Sequence, residues 1–184
     1  MSLLDGRIYS SALVLSLVVL TSGTSSIGGW KRYVNNQSRY SLDYPASWYV
    51  FLEESHQFRI LNFPPEQRVK GVVLKAKGAE IVVTAQPDRA QTLEDWIKLD
   101  LVDDQLLESR DIRLSGIPQD GCKQIHQVVT RSEVGDSAYF IYTHLYCISD
   151  KRALQVTLAS WEGDSSQAEY QATALRIAKT LRVF

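Results

Sequence analysis

The chain has few of the residues that usually indicate catalytic or metal chemistry. Its 184 residues include two cysteines and three histidines. It contains no Gly-x-Ser-x-Gly nucleophile elbow and none of the glycine-rich strings that hold phosphates or dinucleotides. The histidines and cysteines also lack the spacing of a zinc site. The sequence therefore predicts a non-catalytic protein without a cofactor or a bound metal.

An excess of charge of one sign is also missing. Twenty lysines and arginines stand against 21 aspartates and glutamates, which leaves a formal net charge of −1. A general nucleic-acid binder needs a basic field, so nucleic acid is excluded as a partner class. The proportions of 45% hydrophobic and 22% charged residues are those of a globular domain. We therefore expect one folded domain that is a monomer.

The longest apolar stretch is too short for an ordinary membrane span. Residues 8–20 are apolar except for three serines, and Arg7 precedes them. As a helix they would extend ~20 Å, against ~30 Å for the hydrocarbon core of a bilayer. Small residues follow at 21–26, as they do in a secretory signal peptide. We interpret residues 1–26 as a signal peptide or membrane anchor, with a buried helix as a third alternative, and residues 27–184 as the folded domain.

The two cysteines, Cys122 and Cys147, lie in two strand-like runs separated by a short polar segment. If Val134 and Gly135 form a two-residue hairpin turn, residues that face each other have numbers that add up to 269. The two cysteines satisfy this condition, so their side chains would come close to disulfide distance. Export to an oxidising compartment would permit the bond. The alternative is two reduced, buried cysteines that are neighbours only by chance.

The same hairpin contains two of the three histidines, His126 and His144. The register that pairs the cysteines places these histidines on opposite faces of the sheet. One extra loop residue would bring them onto the same face, where an acidic side chain could complete a metal site. We favour the interpretation that both are ordinary strand histidines.

Strand-like runs dominate the rest of the domain, together with two predicted helices. Thr92 followed by Asp95 resembles a capping box, which predicts the first helix start. The second helix is expected to open at Ser165 or Ser166, with Ala168, Ala172, Leu175 and Ala178 on one face. Eight or nine strands joined by tight turns imply an antiparallel sheet that needs helices to cover it. The predicted fold class is α+β.

Several local strings resemble the PsbP-like superfamily, which includes extrinsic photosystem II subunits and a Ran-binding nuclear import factor. They are Arg-Tyr-Ser-Leu-Asp-Tyr-Pro-Ala-Ser-Trp at 39–48, Thr-Leu-Glu-Asp-Trp at 92–96 and Ala-Ser-Trp at 159–161 before a terminal helix. The resemblance implies an α/β/α sandwich with a central antiparallel sheet. It also implies an exported, extracytoplasmic protein, in the periplasm or thylakoid lumen and tethered if the N-terminal segment is retained. Its partner would be a membrane protein complex, namely photosystem II or its assembly intermediates if the source is an oxygenic phototroph. The alternative is a periplasmic carrier of a small molecule or metal.

Charge is segregated along the chain in spite of the neutral total. Residues 66–77 contain four basic residues and one acidic residue, whereas residues 88–111 contain eight acidic and three basic residues. The basic stretch could bind a charged partner. Two solvated faces would give the same pattern. The predicted partner-binding residues are Arg68, Lys70, Lys75 and Lys77.

Overall fold

The computed structural model describes most of the folded domain. The described residues are 26–27, 29–53, 56–67, 78–85, 92–101, 104–114, 121–133, 138–149 and 153–184. The apolar run at 8–20 and the predicted basic stretch at 68–77 lie outside them. Neither of the two helices in the described part is long and apolar enough to cross a membrane.

Most strands form one large antiparallel sheet. Its seven strands run in the order β4-β5-β6-β10-β9-β8-β7, so β4 and β7 are the edges. Their bounds are β4 Tyr49–Glu53, β5 Gln57–Leu61, β6 Ala79–Ala85, β7 Gln105–Arg113, β8 Gln124–Glu133, β9 Tyr139–Ile148 and β10 Ala153–Trp161. Alternating buried apolar residues along β5 and β6 explain why these segments form strands with one face in the core.

Four short strands form a second, smaller sheet in the order β1-β2-β3-β11. They are β1 Ser26–Ile27, β2 Trp30–Asn35, β3 Tyr40–Pro45 and β11 Arg182–Val183. The last strand pairs with β3 through Arg182 opposite Ser41 and Val183 opposite Tyr40. The small sheet therefore joins the two ends of the folded domain.

Helix α1, Leu93–Asp100, begins where the sequence predicts. The Asp95 backbone N–H donates to the Thr92 hydroxyl at 3.1 Å, and the Thr92 backbone N–H donates to the Asp95 carboxylate at 3.1 Å. This reciprocal pair is the predicted capping box. Trp96 of the helix packs on Val128 and Tyr146 of the large sheet. Helix α1 therefore covers one face of that sheet.

Helix α2, Gln167–Thr180, packs against the opposite face, beside the small sheet. Its buried residues are Ala174, Ile177 and Ala178. The expected face is only partly right, because Ala168 and Ala172 are exposed. Alanine gains little from burial, so the larger Ile177 determines which face of the helix turns inward.

The β8–β9 hairpin corrects the predicted register. Ile125 lies opposite Cys147 and Glu133 lies opposite Tyr139, so five residues connect the strands in place of a two-residue turn. Facing residues therefore have numbers that add up to 272. Because strand side chains alternate between faces, this odd shift of three also places His126 and His144 on the same face, not on opposite faces.

A disulfide nevertheless joins Cys122 and Cys147, with their Cα atoms 5.3 Å apart. Cys122 lies just before β8 and is not directly opposite Cys147. Its Sγ also lies 3.3 Å from the Ala178 carbonyl of α2. The predicted bond is confirmed, although the register used to predict it is wrong.

Candidate functional site

A row of polar residues crosses the face of the large sheet on which α1 packs. Asp111, His126, Tyr146 and Gln155 lie opposite one another in turn across β7, β8, β9 and β10. Residues directly opposite in antiparallel strands point to the same side of the sheet. We call this side the polar face.

The buried part of the polar face centres on His144, which is 7% exposed. Its Nδ1 lies 3.3 Å from both the Thr157 hydroxyl and the Gln155 amide nitrogen. Its Nε2 lies 3.4 Å from the Thr130 hydroxyl. The ring also lies between those of Tyr142 and Tyr146, with centroid separations of 6.0 and 6.2 Å. These contacts hold the imidazole in one orientation.

Two carboxylates adjoin this buried part. Asp100, the last residue of α1, accepts hydrogen bonds from the Tyr146 hydroxyl at 2.9 Å and from the Gln155 side-chain amide. Asp104 accepts one from the Thr130 hydroxyl at 3.0 Å. The cluster therefore combines hydroxyl, amide, imidazole and carboxylate groups in a small volume.

Burial shifts the pKa values of His144 and Tyr146 in this cluster. It lowers the pKa of His144, although the charges of Asp100 and Asp104 act in the opposite direction. Burial, together with the charge of Asp100, raises the pKa of Tyr146. Both rings are therefore neutral at pH 7 and can take part in hydrogen bonding. Within the described residues, no three His, Cys, Asp or Glu side chains are placed to hold a metal ion.

The open part of the polar face holds a serine, a histidine and an aspartate in contact. The Ser109 hydroxyl lies 3.1 Å from His126 Nε2. His126 Nδ1 lies 2.8 Å from Asp111 Oδ1. The hydrogen bond from His126 lowers the pKa of Asp111, and the hydrogen bond from Gln124 lowers it further by a smaller amount. A positioned base next to a hydroxyl is an arrangement that can activate a nucleophile.

Sequence reasoning missed this group. Strand β7 begins at Gln105 and therefore includes both Ser109 and Asp111. The available signal was a Ser-x-Asp spacing, which puts both side chains on one strand face. Finding the histidine between them required the β7–β8 register, which pairs Asp111 with His126.

A second surface lies where the small sheet meets the C-terminal half of α2. The Arg176 guanidinium lies over the Trp30 ring, 4.0 Å from its centroid. Arg32 forms an ion pair with Asp43 at 2.8 Å and is 49% exposed. The Arg182 guanidinium donates to the Leu181 carbonyl at 2.7 Å. We call Trp30, Arg32, Asp43, Arg176 and Arg182 the basic junction, since it has three cations and one anion.

The acidic stretch predicted from the sequence is spread over α1 and β7. Glu94 and Asp95 are exposed on α1, where Glu94 pairs with Lys98 at 2.9 Å. Glu108 of β7 pairs with Arg110 at 2.9 Å. These exposed pairs contribute little stability. The exposed acidic residues of α1 and the basic junction lie on opposite sides of the large sheet, whereas Glu108 and Arg110 of β7 point to the same side as the basic junction.

Comparisons with known proteins identify the fold. No family model matches the chain, and no curated protein matches it in sequence. Among solved structures, the Ran-binding protein Mog1p of Saccharomyces cerevisiae has a TM-score of 0.50 at 8% identity, covering 84% of this chain and 95% of Mog1p. Cyanobacterial PsbP from Synechocystis sp. PCC 6803 has a TM-score of 0.48 at 12% identity, covering 88% and 96%.

A Bacteroides thetaiotaomicron protein is also similar, with a TM-score of 0.48 at 12% identity over 85% of this chain. This chain spans about half, 49%, of that protein's length. Such low identities establish a likeness of fold alone. The likeness to Mog1p agrees, at the level of fold, with the resemblance predicted from the sequence. In this chain the fold is a large antiparallel sheet with two helices.

Proposed function

We propose that this chain is an exported PsbP-like protein whose role is to bind a membrane-associated protein complex on the extracytoplasmic side. In an oxygenic phototroph the complex would be photosystem II or an assembly intermediate of it. Binding to the complex needs no catalysis, the protein acts as a monomer, and its layers form the α/β/α sandwich of the superfamily. The fold is compatible with protein binding, since one structure that shares it is a Ran-binding protein.

The basic junction is the observation that carries this proposal. Arginine and tryptophan are the residue types that most often dominate binding energy at protein interfaces. Arg176 is held by the Trp30 ring and Arg32 by Asp43, so both cations are positioned before a partner arrives. Less side-chain freedom is then lost on binding. The excess of positive charge suits an acidic surface on the partner.

The position of the small sheet also supports a membrane-associated partner. Strand β1 is the edge of this sheet and begins at Ser26, six residues after the apolar run at 8–20. If that run remains in the bilayer as an anchor, the small sheet is the nearest described part of the domain to the membrane. The basic junction would then face partners at the membrane surface.

Site-specific crosslinking tests the proposal. A photo-crosslinking side chain at Arg32 would be compared with one at Leu99, an exposed residue of α1 on the opposite side. In native membranes we expect the Arg32 variant to form an adduct with a subunit of a membrane complex, and the Leu99 variant to form none. Equal adducts from both positions, or adducts with soluble proteins only, would contradict the proposal.

Charge reversal gives a second, quantitative test. We expect Arg176→Glu to weaken co-purification with that complex about tenfold or more, because it removes a cation and the Trp30 contact together. Arg113→Glu is the matched control, since Arg113 is an exposed arginine at the end of β7. A partner that is lost equally in both variants would indicate non-specific attraction by charge.

Export has its own test. Expressed from the full sequence, the protein should appear in the extracytoplasmic fraction, either shortened by about 26 residues or retained on the membrane. Its Cys122–Cys147 bond should be oxidised there, as shown by the absence of thiol labelling. A full-length, reduced protein in the cytosol would contradict export without deciding which surface binds the partner.

The buried part of the polar face favours a second candidate, a small-molecule carrier. Asp100, Gln155 and His144 offer several hydrogen-bonding groups together. A thermal-shift screen with lipids would detect such a ligand, because binding to the native state raises apparent stability. The effect should disappear in His144→Gln but persist in the Arg176→Glu variant.

A further inference from the structure

The Ser109, His126 and Asp111 side chains form a continuous hydrogen-bonded chain on the polar face. Ser109 and Asp111 are two residues apart on β7, so both point to the same side. His126 lies opposite Asp111 on β8 and touches both partners, one through each ring nitrogen. The order is hydroxyl, Nε2, Nδ1 and carboxylate, which matches the roles of nucleophile, base and orienting group.

We propose that Ser109 is a nucleophile activated by His126, and that it accepts acyl groups from carboxylic esters at the open edge of the sheet. Asp111 is a positioning residue, since it acts through His126. This activity goes beyond the proposed binding role and uses none of the residues of the basic junction. Each activity can therefore be tested without the other.

The chemical step uses only the ester and water. The Ser109 oxygen attacks the ester carbonyl carbon while its proton passes to His126 Nε2. The carbon–oxygen bond to the alcohol breaks, and His126 returns the proton to the departing alkoxide. Water then attacks the acyl-serine, with His126 again taking and returning one proton. The products are an alcohol and a carboxylic acid, and Ser109 is restored.

The surroundings of Ser109 determine which esters fit. Ser109 is exposed, His126 is 21% exposed and Asp111 is 57% exposed, so a substrate can reach the hydroxyl without any opening of the fold. An open strand surface does not exclude water, and donors that stabilise the oxyanion are usually the largest catalytic contribution. We therefore expect slow turnover that favours esters with good leaving groups.

An apolar neighbour gives a preference for the acyl part. Leu106 lies opposite Thr130, whereas Ser109 lies opposite Val128, so Leu106 occupies the next position along the same face. Two residues along a strand span about 7 Å, so Leu106 lies about that far from Ser109. Leu106 is 53% exposed. A medium-length acyl chain bound at Ser109 would cover it.

The test uses the purified full chain with 4-nitrophenyl hexanoate and 4-nitrophenyl acetate. Hydrolysis should be accompanied by an acyl adduct on the peptide that contains Ser109, detected by mass spectrometry after acid quench. Burying extra methylenes against Leu106 should favour hexanoate over acetate by about tenfold. The substitution Leu106→Gln should remove that preference, so that hexanoate and acetate are hydrolysed at similar rates.

Three variants decide the roles. Ser109→Ala should abolish the acyl adduct and lower the rate of ester hydrolysis to the background given by other exposed side chains. Ser132 lies on the same face of β8, and Ser132→Ala should change neither the adduct nor the rate. Asp111→Asn should lower kcat about tenfold at an unchanged KM, because Asp111 orients the imidazole and does not touch the ester. An adduct elsewhere, unchanged hydrolysis in Ser109→Ala, or an effect of Asp111→Asn on KM alone would overturn the proposal.

Discussion

The two faces of the large sheet are made by the same strands, yet they bury different chemistry. The face toward α2 and the small sheet is mostly apolar and enclosed where these elements cover it, with Phe58, Ile60 and Leu158 at 0 to 1% exposure. The face toward α1 buries His144, Thr130 and other polar groups beside a smaller apolar cluster around Trp96. The difference indicates that the α2 side supplies most of the stability and the α1 side holds the reactive and hydrogen-bonding groups.

The largest effect should come from the apolar face. Phe58 is fully buried, stacks on Tyr33 with ring centroids 3.9 Å apart, and meets Tyr44 edge-on. We expect Phe58→Ala to lower the free energy of unfolding by about 3–5 kcal/mol in urea titrations. Thr130→Val, which removes one hydroxyl from the polar face at constant shape, should cost about 1 kcal/mol. Equal losses from the two substitutions would refute the contrast between the faces.

Loss of the disulfide should have the next largest effect. The bond closes a segment with a sequence separation of 25 and lies on the apolar side, where both cysteines are buried. Replacing Cys122 and Cys147 together by alanine should cost about 3 kcal/mol, mainly because the unfolded chain gains freedom. Urea titrations of the oxidised and reduced wild type provide the control. A double variant as stable as the oxidised protein would show that the bond contributes nothing to the core.

The pH dependence of stability should distinguish the polar face from the apolar one. Since burial lowers the folded-state pKa of His144 below its ordinary 6.5, the unfolded chain binds this proton more readily. Stability should therefore fall as the pH drops below about 6.5, until the folded-state pKa is passed. The slope is at most about 1.4 kcal/mol per pH unit.

The urea midpoint measured from pH 7.5 to 5 would show this slope, and His144→Gln should flatten it. The carboxylates that face the imidazole, Asp100 and Asp104, oppose the effect, because their charges favour the protonated ring. Replacing Asp100 by asparagine should therefore steepen the slope. The Phe58→Ala variant is the control, since it should lower stability equally at every pH.

The smallest effect should be at the start of α1, which covers the polar face. Thr92→Ala removes the acceptor for the Asp95 N–H and should cost about 1 kcal/mol. Thr92→Ser keeps the hydroxyl and should be nearly neutral. If α1 frays in Thr92→Ala, hydrogen exchange at Tyr146 should rise while exchange at Ile60 stays constant. A uniform rise would mean that the two faces unfold together.

Local patterns in the sequence predicted several of these features well. The Thr92–Asp95 capping box depends on residues three apart, so it can be read without the rest of the fold. The strand-rich α+β composition and the pairing of the two cysteines were also predicted correctly. The resemblance predicted from the sequence agrees with the solved structure of Mog1p at the level of fold alone. The residues predicted as an anchor and the basic stretch at 68–77 remain predictions.

Features that depend on distant pairing were decided only by the tertiary structure. The hairpin connection is five residues long, and this length alone moved His126 and His144 to the same face. Strand β11 pairs with β3 across about 140 residues, which no local periodicity can indicate. The alignment of Ser109, His126 and Asp111 likewise requires the register of β7 on β8.

The sequence by itself determined the helix start and the strand-forming segments, because these depend on neighbouring residues. Only tertiary packing decided which side chains meet, because a strand shifted by one residue turns every side chain to the other face.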